Sequence, residues 1–339
     1  MSKLFLHIPS NNKAKEDIDV FMAQRNFRNI AISCTSHNSI ARFFSKLASV
    51  LLLTMKVKRG DVLLMQYPFK KYYQLACNLC HMRGGKVITL VHDLGCCRRK
   101  KLTKQQEIRR LSHTDVLIVH NEAMQVFLQS AGYQKPMLTL GIFDYLAPTP
   151  GVTTSKSDNQ PWEVVYAGGL ARRKNAFLYQ LDPYINGWHF NIYGKGLEQE
   201  EADSWQHITP MGFVKSDDFI HSSKGHFGLV WDGNSIDACE GEWGNYLRIN
   251  NPHKTSFYLR SGKPVIMWNK AALTPFILQH GAGIAVSSLR EIGEKLSGIT
   301  PEAYKTMCRN ALTLSQQLQD GHHFHVAFDE AMKMLPQEK

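Results

Sequence analysis

Several stretches of this chain deliver chemically capable residues where an apolar run stops. In VVYAGGLARRKN, residues 164–175, a β-branched run ends in Gly168 and Gly169, followed by Arg172, Arg173 and Lys174. Glycines after a strand let the backbone come close to a ligand, and a following helix start offers free amides to an anion. The cations suit a diphosphate, although neither the dinucleotide fingerprint nor a Walker loop is present. In residues 250–256, Asn250-Asn251-Pro252-His253-Lys254-Thr255-Ser256, a turn enters a helix whose first turn holds a His and a Lys. First turns favour acids, so Lys254 there points to a bound anion; a plain structural cap is the alternative. FGLVWDG, residues 227–233, ends in Trp231 and Asp232. Trp231 is a wall beside a ligand or a core residue. In VHDL, residues 91–94, Asp93 ends a strand, where a carboxylate could take a proton from a hydroxyl or merely cap the chain. Ile192-Tyr193-Gly194-Lys195-Gly196 reads as a turn more readily than as a ligand contact.

The elements that must position these residues alternate short β-branched runs with amphipathic stretches, the pattern of βαβ units and parallel sheets. Strands are expected at 3–8, 30–33, 61–66, 86–90, 116–120 and 137–139, with helices at 13–26, 40–55, 71–83, 104–112 and 122–131. Residues 147–161, APTPGVTTSKSDNQP, read as a linker. The alternation then restarts with strands at 163–166, 189–193, 208–211, 227–230, 264–267 and 283–285. The helices expected with them include 175–180, 217–223, 254–261 and 272–280. Two doubly wound domains joined by a linker would bind ligands in a cleft at the carboxyl ends of their strands.

The 339 residues suit two domains, and 43% hydrophobic with 20% charged residues argues against disorder. The net charge of +11 is uneven: residues 1–150 carry 22 Lys+Arg against 9 Asp+Glu, and the remainder 18 against 20. A basic first half suits nucleic acid, an acidic phospholipid surface or a phosphorylated substrate; a solvated basic face with no partner is the alternative. The run LASVLLLTM, residues 47–55, is too short to span a membrane and reads as a buried helix with basic ends. No secretory signal is recognisable at the start, and seven cysteines suit a reducing, cytoplasmic setting. Cys77, Cys80, His81, His92, Cys96 and Cys97 invite a zinc reading, but Cys77 and Cys80 fit a helix core better, and His322, His323 and His325 read as a surface cluster. The one Asp-x-Asp, Asp17 to Asp19, falls in a helix, so a metal-free site is expected, with positive groups neutralising the leaving anion.

At residues 225–275 the sequence resembles a known family. GLVWDGNSIDAC and NNPHKTSFYLRSGKPVIMWNKAAL look like the donor domain of bacterial galactofuranosyltransferases of the β-1,6 type, which build polysaccharide repeat units. VVYAGGLARRKN, LVHDL and IFDYL fit the same pattern, and the likeness extends more loosely to residues 1–80. A related branch comprises glucosyltransferases that extend glycans on serine-rich adhesins. The resemblance implies a GT-B fold: two doubly wound Rossmann-like α/β domains facing across a cleft. The corresponding division is an acceptor domain at 1–147, a linker at 148–161, a nucleotide-sugar domain at 162–320 and a last helix at 321–339 returning to the first domain. The donor would be a UDP-sugar, UDP-galactofuranose first, with no cofactor and no metal. Arg172 or Arg173 and Lys254 would hold the diphosphate, and Gly168, Gly169, Asn250 and Asn251 would shape the pocket. His253, Thr255 and Trp231 join them as binding candidates. Asp93 is the expected base, with the acidic loop 237–242 as rival. Expected partners are a glycan acceptor such as a lipid-linked diphosphate, the inner membrane face and a second copy of the chain, but no nucleic acid. A UDP-glucose or UDP-galactose transferase, or a non-catalytic subunit of the same fold, is the alternative.

Overall fold

The apolar runs form twelve strands among the described residues, which in this computed structural model are 1–7, 12–34, 38–69, 72–98, 101–149, 151–157 and 160–336. Residues 8 and 71, expected at the edges of a strand and a helix, and 150, 158 and 159 of the expected linker lie outside them. The chain divides into two units, one of residues 1–140 with 321–339, the other of residues 141–320.

In the first unit, β1 (Lys3–Phe5), β2 (Arg28–Asn29), β3 (Val62–Tyr67), β4 (Lys86–Val91), β5 (Val116–Val119) and β6 (Met137–Thr139) make a parallel sheet. Its order is β2-β1-β3-β4-β5-β6. Strands β3 to β5 are almost wholly apolar because helices cover both faces of such a sheet. The second strand lies two residues earlier than expected. Asn29 turns its side-chain oxygen onto the amides of Ala31 (2.9 Å) and His7 (3.1 Å), which diverts the backbone groups a longer ladder would need. Asn12 caps the helix Lys13–Gln24, and Thr103 with Gln106 forms a capping box for Lys104–Leu111.

The apolar run at 47–55 departs from the reading of a buried helix. It is shared between the helices Ser39–Leu51 and Leu53–Lys56, and it buries Val50 and Leu53. Ile40, Phe44, Leu51 and Met55, spaced for one helix face, are instead 48–75% exposed. Cys77 and Cys80 are buried in the helix Tyr73–Met82 and join no group of metal-ligand atoms among the described residues. The helix His322–Lys333 belongs to this unit. Its buried Phe324 and Phe328 pack on Phe21 and Phe27, and Arg25 pairs with Asp329. His325 meets Phe21 edge-on at 5.8 Å, so the histidine cluster is partly packing surface.

In the second unit, β7 (Trp162–Gly169), β8 (Trp188–Lys195), β9 (Ile208–Pro210), β10 (Phe227–Val230), β11 (Val265–Trp268) and β12 (Gly283–Val286) are also parallel, in the order β12-β11-β10-β7-β8-β9. Counted from its own first strand, this is the 3-2-1-4-5-6 order of a Rossmann sheet, reversing between β7 and β10. The stretch read as a linker is part of this unit. Gly151 donates its amide to Arg260 O (2.9 Å), and Thr154 O accepts from the Tyr304 hydroxyl (2.9 Å). Residues 142–146 pack against the helix His253–Arg260, with Ser256 Oγ donating to Phe143 O at 2.5 Å. No helix among the described residues is long and apolar enough to cross a membrane.

Candidate active site

The second sheet's reversal point gathers the chemistry. Strand β7 carries Tyr166 inside and ends in Gly168 and Gly169, both exposed; β10 is followed by Asp232. Lys254 is the second residue of the helix His253–Arg260 and reaches Asp232 Oδ1 with Nζ at 3.1 Å. Lys174 Nζ lies 3.9 Å from the same oxygen, and Tyr166 donates its hydroxyl to it at 3.3 Å. The Lys254 ammonium also sits 4.1 Å from the centre of the Tyr166 ring, and that of Lys174 lies 5.2 Å from the Trp243 ring. Two cations thus share one carboxylate, leaving an excess positive charge in a sheltered place. Burial holds Lys254 below the ordinary lysine range, with the Asp232 charge opposing that shift. An incoming anion would favour its charged form.

The helix bearing Lys254 begins at an open end. Its N-cap is Pro252, which makes no side-chain cap bond, and its first turn contains no acid. Its orientation is fixed from the other end. The buried Arg260 donates to Ser315 O (2.9 Å), Ser315 Oγ (2.8 Å) and Gln319 Oε1 (2.7 Å), locking it to the helix Pro301–Gln319. The glycine loop is held by the buried Asn175, whose side chain donates to Gly169 O at 2.7 Å.

The residues expected to bind ligand differ in what they touch. Arg172 pairs with Glu198 (3.1 Å) and Glu201 and lies over the Tyr179 ring, whereas Lys174, of the same cationic run, turns to Asp232. Arg173 is exposed and makes no ion pair among the described residues. Trp231 is fully buried, donates Nε1 to Ser235 O at 3.0 Å and packs edge-on against Trp268, so it is core and cannot stack on a ligand. Asn251 is buried and donates its amide to Gly141 O (2.8 Å). The His253 ring stacks on Tyr145 at 4.7 Å. Thr255 is fully buried, and its hydroxyl has no hydrogen-bond partner among the described residues. Asn250 keeps an enclosed side-chain oxygen with no hydrogen bond among the described residues. Gly194 serves the sheet. It pairs with Gly168, and a Cβ on it would fall 1.8 Å from Gly168 O.

In the first unit, Asp93 follows β4 and its carboxylate is taken by Arg98 at 2.5 Å. In the rival acidic loop, Asp237 pairs with Arg290 at 2.7 Å, and that guanidinium holds its carboxyl below the usual range. One group of three possible metal ligands comes together among the described residues, His7, Glu16 and Asp19, within 4.8 Å of one another. Sequence reading missed Lys174, Asp232 and Tyr166 as one cluster. The signal available was weak: a cation after a glycine loop and an acid after a strand, with nothing to say that they meet.

Comparison with known proteins bears on this geometry. Residues 9–142 match the domain described as Glucosyltransferase 3-like, N-terminal domain, and residues 164–331 its C-terminal counterpart. The Escherichia coli K12 protein named beta-1,6-galactofuranosyltransferase WbbI is 32% identical over 280 residues, 82% of this chain and 81% of that one. Glucosyltransferase 3 of Streptococcus gordonii is 25% identical over 81% of this chain and 80% of its own. Among solved structures, the apo lipopolysaccharide outer core galactosyltransferase WaaB superposes with a TM-score of 0.60 at 9% identity, covering 98% of both chains. Anabaena Alr3699/HepE in complex with UDP gives 0.61 at 12%, covering 99% of this chain and all of that one. At such identities these two likenesses speak for the fold alone, the pair of Rossmann-like domains of GT-B proteins.

Proposed function

Because the chain belongs to the Glucosyltransferase 3-like family and is a glycosyltransferase of GT-B fold, we propose that it transfers a galactofuranosyl residue from UDP-galactofuranose to a glycan acceptor of cell-surface polysaccharide synthesis. The reaction is a single displacement with inversion, and it uses no metal. The observation that carries the donor assignment is the pair Lys254 and Lys174 on the single carboxylate of Asp232, beside exposed Gly168 and Gly169 and an uncapped helix start. A diphosphate there would meet two ammonium groups and the positive end of a helix without a side-chain cap at a sheet reversal point. As the bond from the anomeric carbon to the diphosphate breaks, negative charge grows on UDP. Fixed cations in a sheltered site stabilise it without reorganisation. With cations in that role, a divalent ion is not needed to neutralise the leaving group. The likeness to WbbI favours galactofuranose over glucose or galactose, and the UDP carried by the HepE structure accords with a uridine donor.

The acceptor proposed is a lipid-linked diphosphate glycan met at the inner membrane face. Two features support this. The first half of the chain is strongly basic. Its helix Ser39–Leu51 turns Ile40, Phe44 and Leu51 outward, a surface suited to an anionic lipid boundary.

The test is UDP release from UDP-galactofuranose, UDP-galactose and UDP-glucose, before and after EDTA. Turnover should be greatest with UDP-galactofuranose and survive EDTA. Preference for UDP-glucose would correct the sugar, and stabilisation by NAD but not by UDP would end the transferase reading.

A further inference from the structure

All six strands of the second sheet run parallel, so their carboxyl ends share one edge. A ligand anchored at the cluster beside β7 can extend along that edge in two directions. Towards β10 and β11 the strands end in core: Trp231 and Trp268 are buried, and the Arg248 guanidinium lies 4.4 Å from the Trp268 ring centre. Towards β8 and β9 the strands end in glycine-rich backbone. Gly168 pairs with Gly194 and Gly169 with Lys195, and the Gly194 amide donates to Gly212 O at 2.9 Å, which ties the residues after β9 to the same row. Gly169, Gly196 and Gly212 are exposed. Gly212 has a φ of +75°, a turn that suits glycine, and the space where its Cβ would stand is open. Next along the chain comes Phe213, 57% exposed, with the Lys195 ammonium 4.2 Å from its ring centre. Neighbouring strands are about 4.8 Å apart, which puts β9 about 10 Å from β7. A single exposed ring is ordinary on a protein surface, so its place is what counts. The second unit's other large exposed aromatic side chain among the described residues is Tyr184. It precedes β8, at the opposite edge of the sheet, and the Arg290 guanidinium covers it at 3.8 Å.

We propose that Phe213 is the platform on which the nucleobase of the donor stacks, on the ring face that Lys195 does not cover. The proposal rests on the diphosphate site beside β7 but not on which sugar is carried. A nucleobase is flat and has a π-face on each side. Stacking on a phenyl ring shelters one face from water and leaves the polar edge of the base free. The glycine backbone between the two points lets a ribose lie close to the sheet edge. Stacking does not read hydrogen-bond patterns, so Phe213 supplies affinity for a base, and the choice of uracil falls to polar groups at its edge.

The experiment titrates UDP and inorganic pyrophosphate by calorimetry into the full chain as wild type, Phe213→Ala, Phe213→Trp and Lys254→Met. Thermal melts verify that each is folded, and an exposed position such as 213 tolerates substitution. Phe213→Ala should weaken UDP binding by about 5–100-fold, the range for stacking one base on one aromatic side chain, and leave pyrophosphate binding unchanged. Phe213→Trp should keep its affinity for UDP. UDP should also quench its fluorescence beyond any change seen in wild type, while pyrophosphate does not. Lys254→Met should weaken both ligands. Wild-type affinity for UDP in Phe213→Ala would overturn the assignment. Equal losses of UDP and pyrophosphate binding would do so too, since the ring would then be structural. Where pyrophosphate binds too weakly to titrate, absence of the added quench overturns it. Failure of folded wild type to bind UDP would end the donor site and this assignment together. A loss in Lys254→Met beside unchanged UDP binding in Phe213→Ala would end this assignment alone.

Discussion

Lys174 and Arg172 are near neighbours on one turn, yet they serve different partners. Arg172 belongs to a surface ion-pair network with Glu198 and Glu201, whereas Lys174 leans on Asp232 beside Lys254. The two should therefore respond differently to removal. Arg172→Ala is expected to leave UDP affinity near wild type, since an exposed ion pair contributes about 0–1 kcal/mol. Lys174→Ala should weaken UDP binding by roughly tenfold, in line with loss of one charge-assisted contact of about 1.5 kcal/mol. Isothermal titration with UDP separates them, and the opposite ranking would return the diphosphate role to Arg172. At this scale the sequence was only partly legible. Lys254 stood out because a cation in a helix's first turn is out of place. The engagement of Arg172, the burial of Trp231 and the stacking of His253 on Tyr145 are long-range facts that no local pattern encodes.

The helix His253–Arg260 owes its direction to what holds its far end, where Arg260 and, just beyond it, Lys263 are buried cations. Lys263 donates to Ser223 O at 3.1 Å, and burial pushes its ammonium down to about 8. An unfolded lysine keeps its proton to about pH 10.4. Between about pH 8 and pH 10 the unfolded chain thus binds more protons than the folded one, and stability from this site rises with pH. The stability difference between wild type and Lys263→Met should move in favour of wild type by about 2–3 kcal/mol across that window. Denaturant melts at pH 7.5 and pH 10 measure it, and a pH-independent difference would mean that the ammonium is not desolvated. Element boundaries were mostly legible because period-2 and period-3.6 patterns mark buried faces directly. The exceptions were tertiary: Asn29 ending β2 early, and a helix at 39–51 that keeps an apolar face exposed.

Across the whole molecule, each sheet reverses at one place, and each reversal carries a polar cluster: Lys254, Lys174 and Asp232 in one unit, His7, Asp19 and Gln66 in the other. Alternating strands and helices made the doubly wound architecture readable from sequence. The strand orders, and so the reversal points, were not, because order depends on which crossovers pack. That is why Asp93 drew attention and the cluster of His7, Asp19 and Gln66 did not. The return of His322–Lys333 to the first unit also has a measurable consequence. Phe328 is fully buried against Phe27, so Phe328→Ala should cost about 3–5 kcal/mol in chemical denaturation, while UDP binding to the folded protein persists.

The most direct measurement is a calorimetric titration of UDP into the wild type and Lys254→Met, both verified as folded. Wild type should bind, and the variant should bind at least about tenfold more weakly, the loss of one sheltered charge-assisted contact. Equal affinity in the two proteins, or no UDP binding by a folded wild type, would contradict the assignment of the Lys254–Lys174–Asp232 cluster as the site that holds the leaving diphosphate.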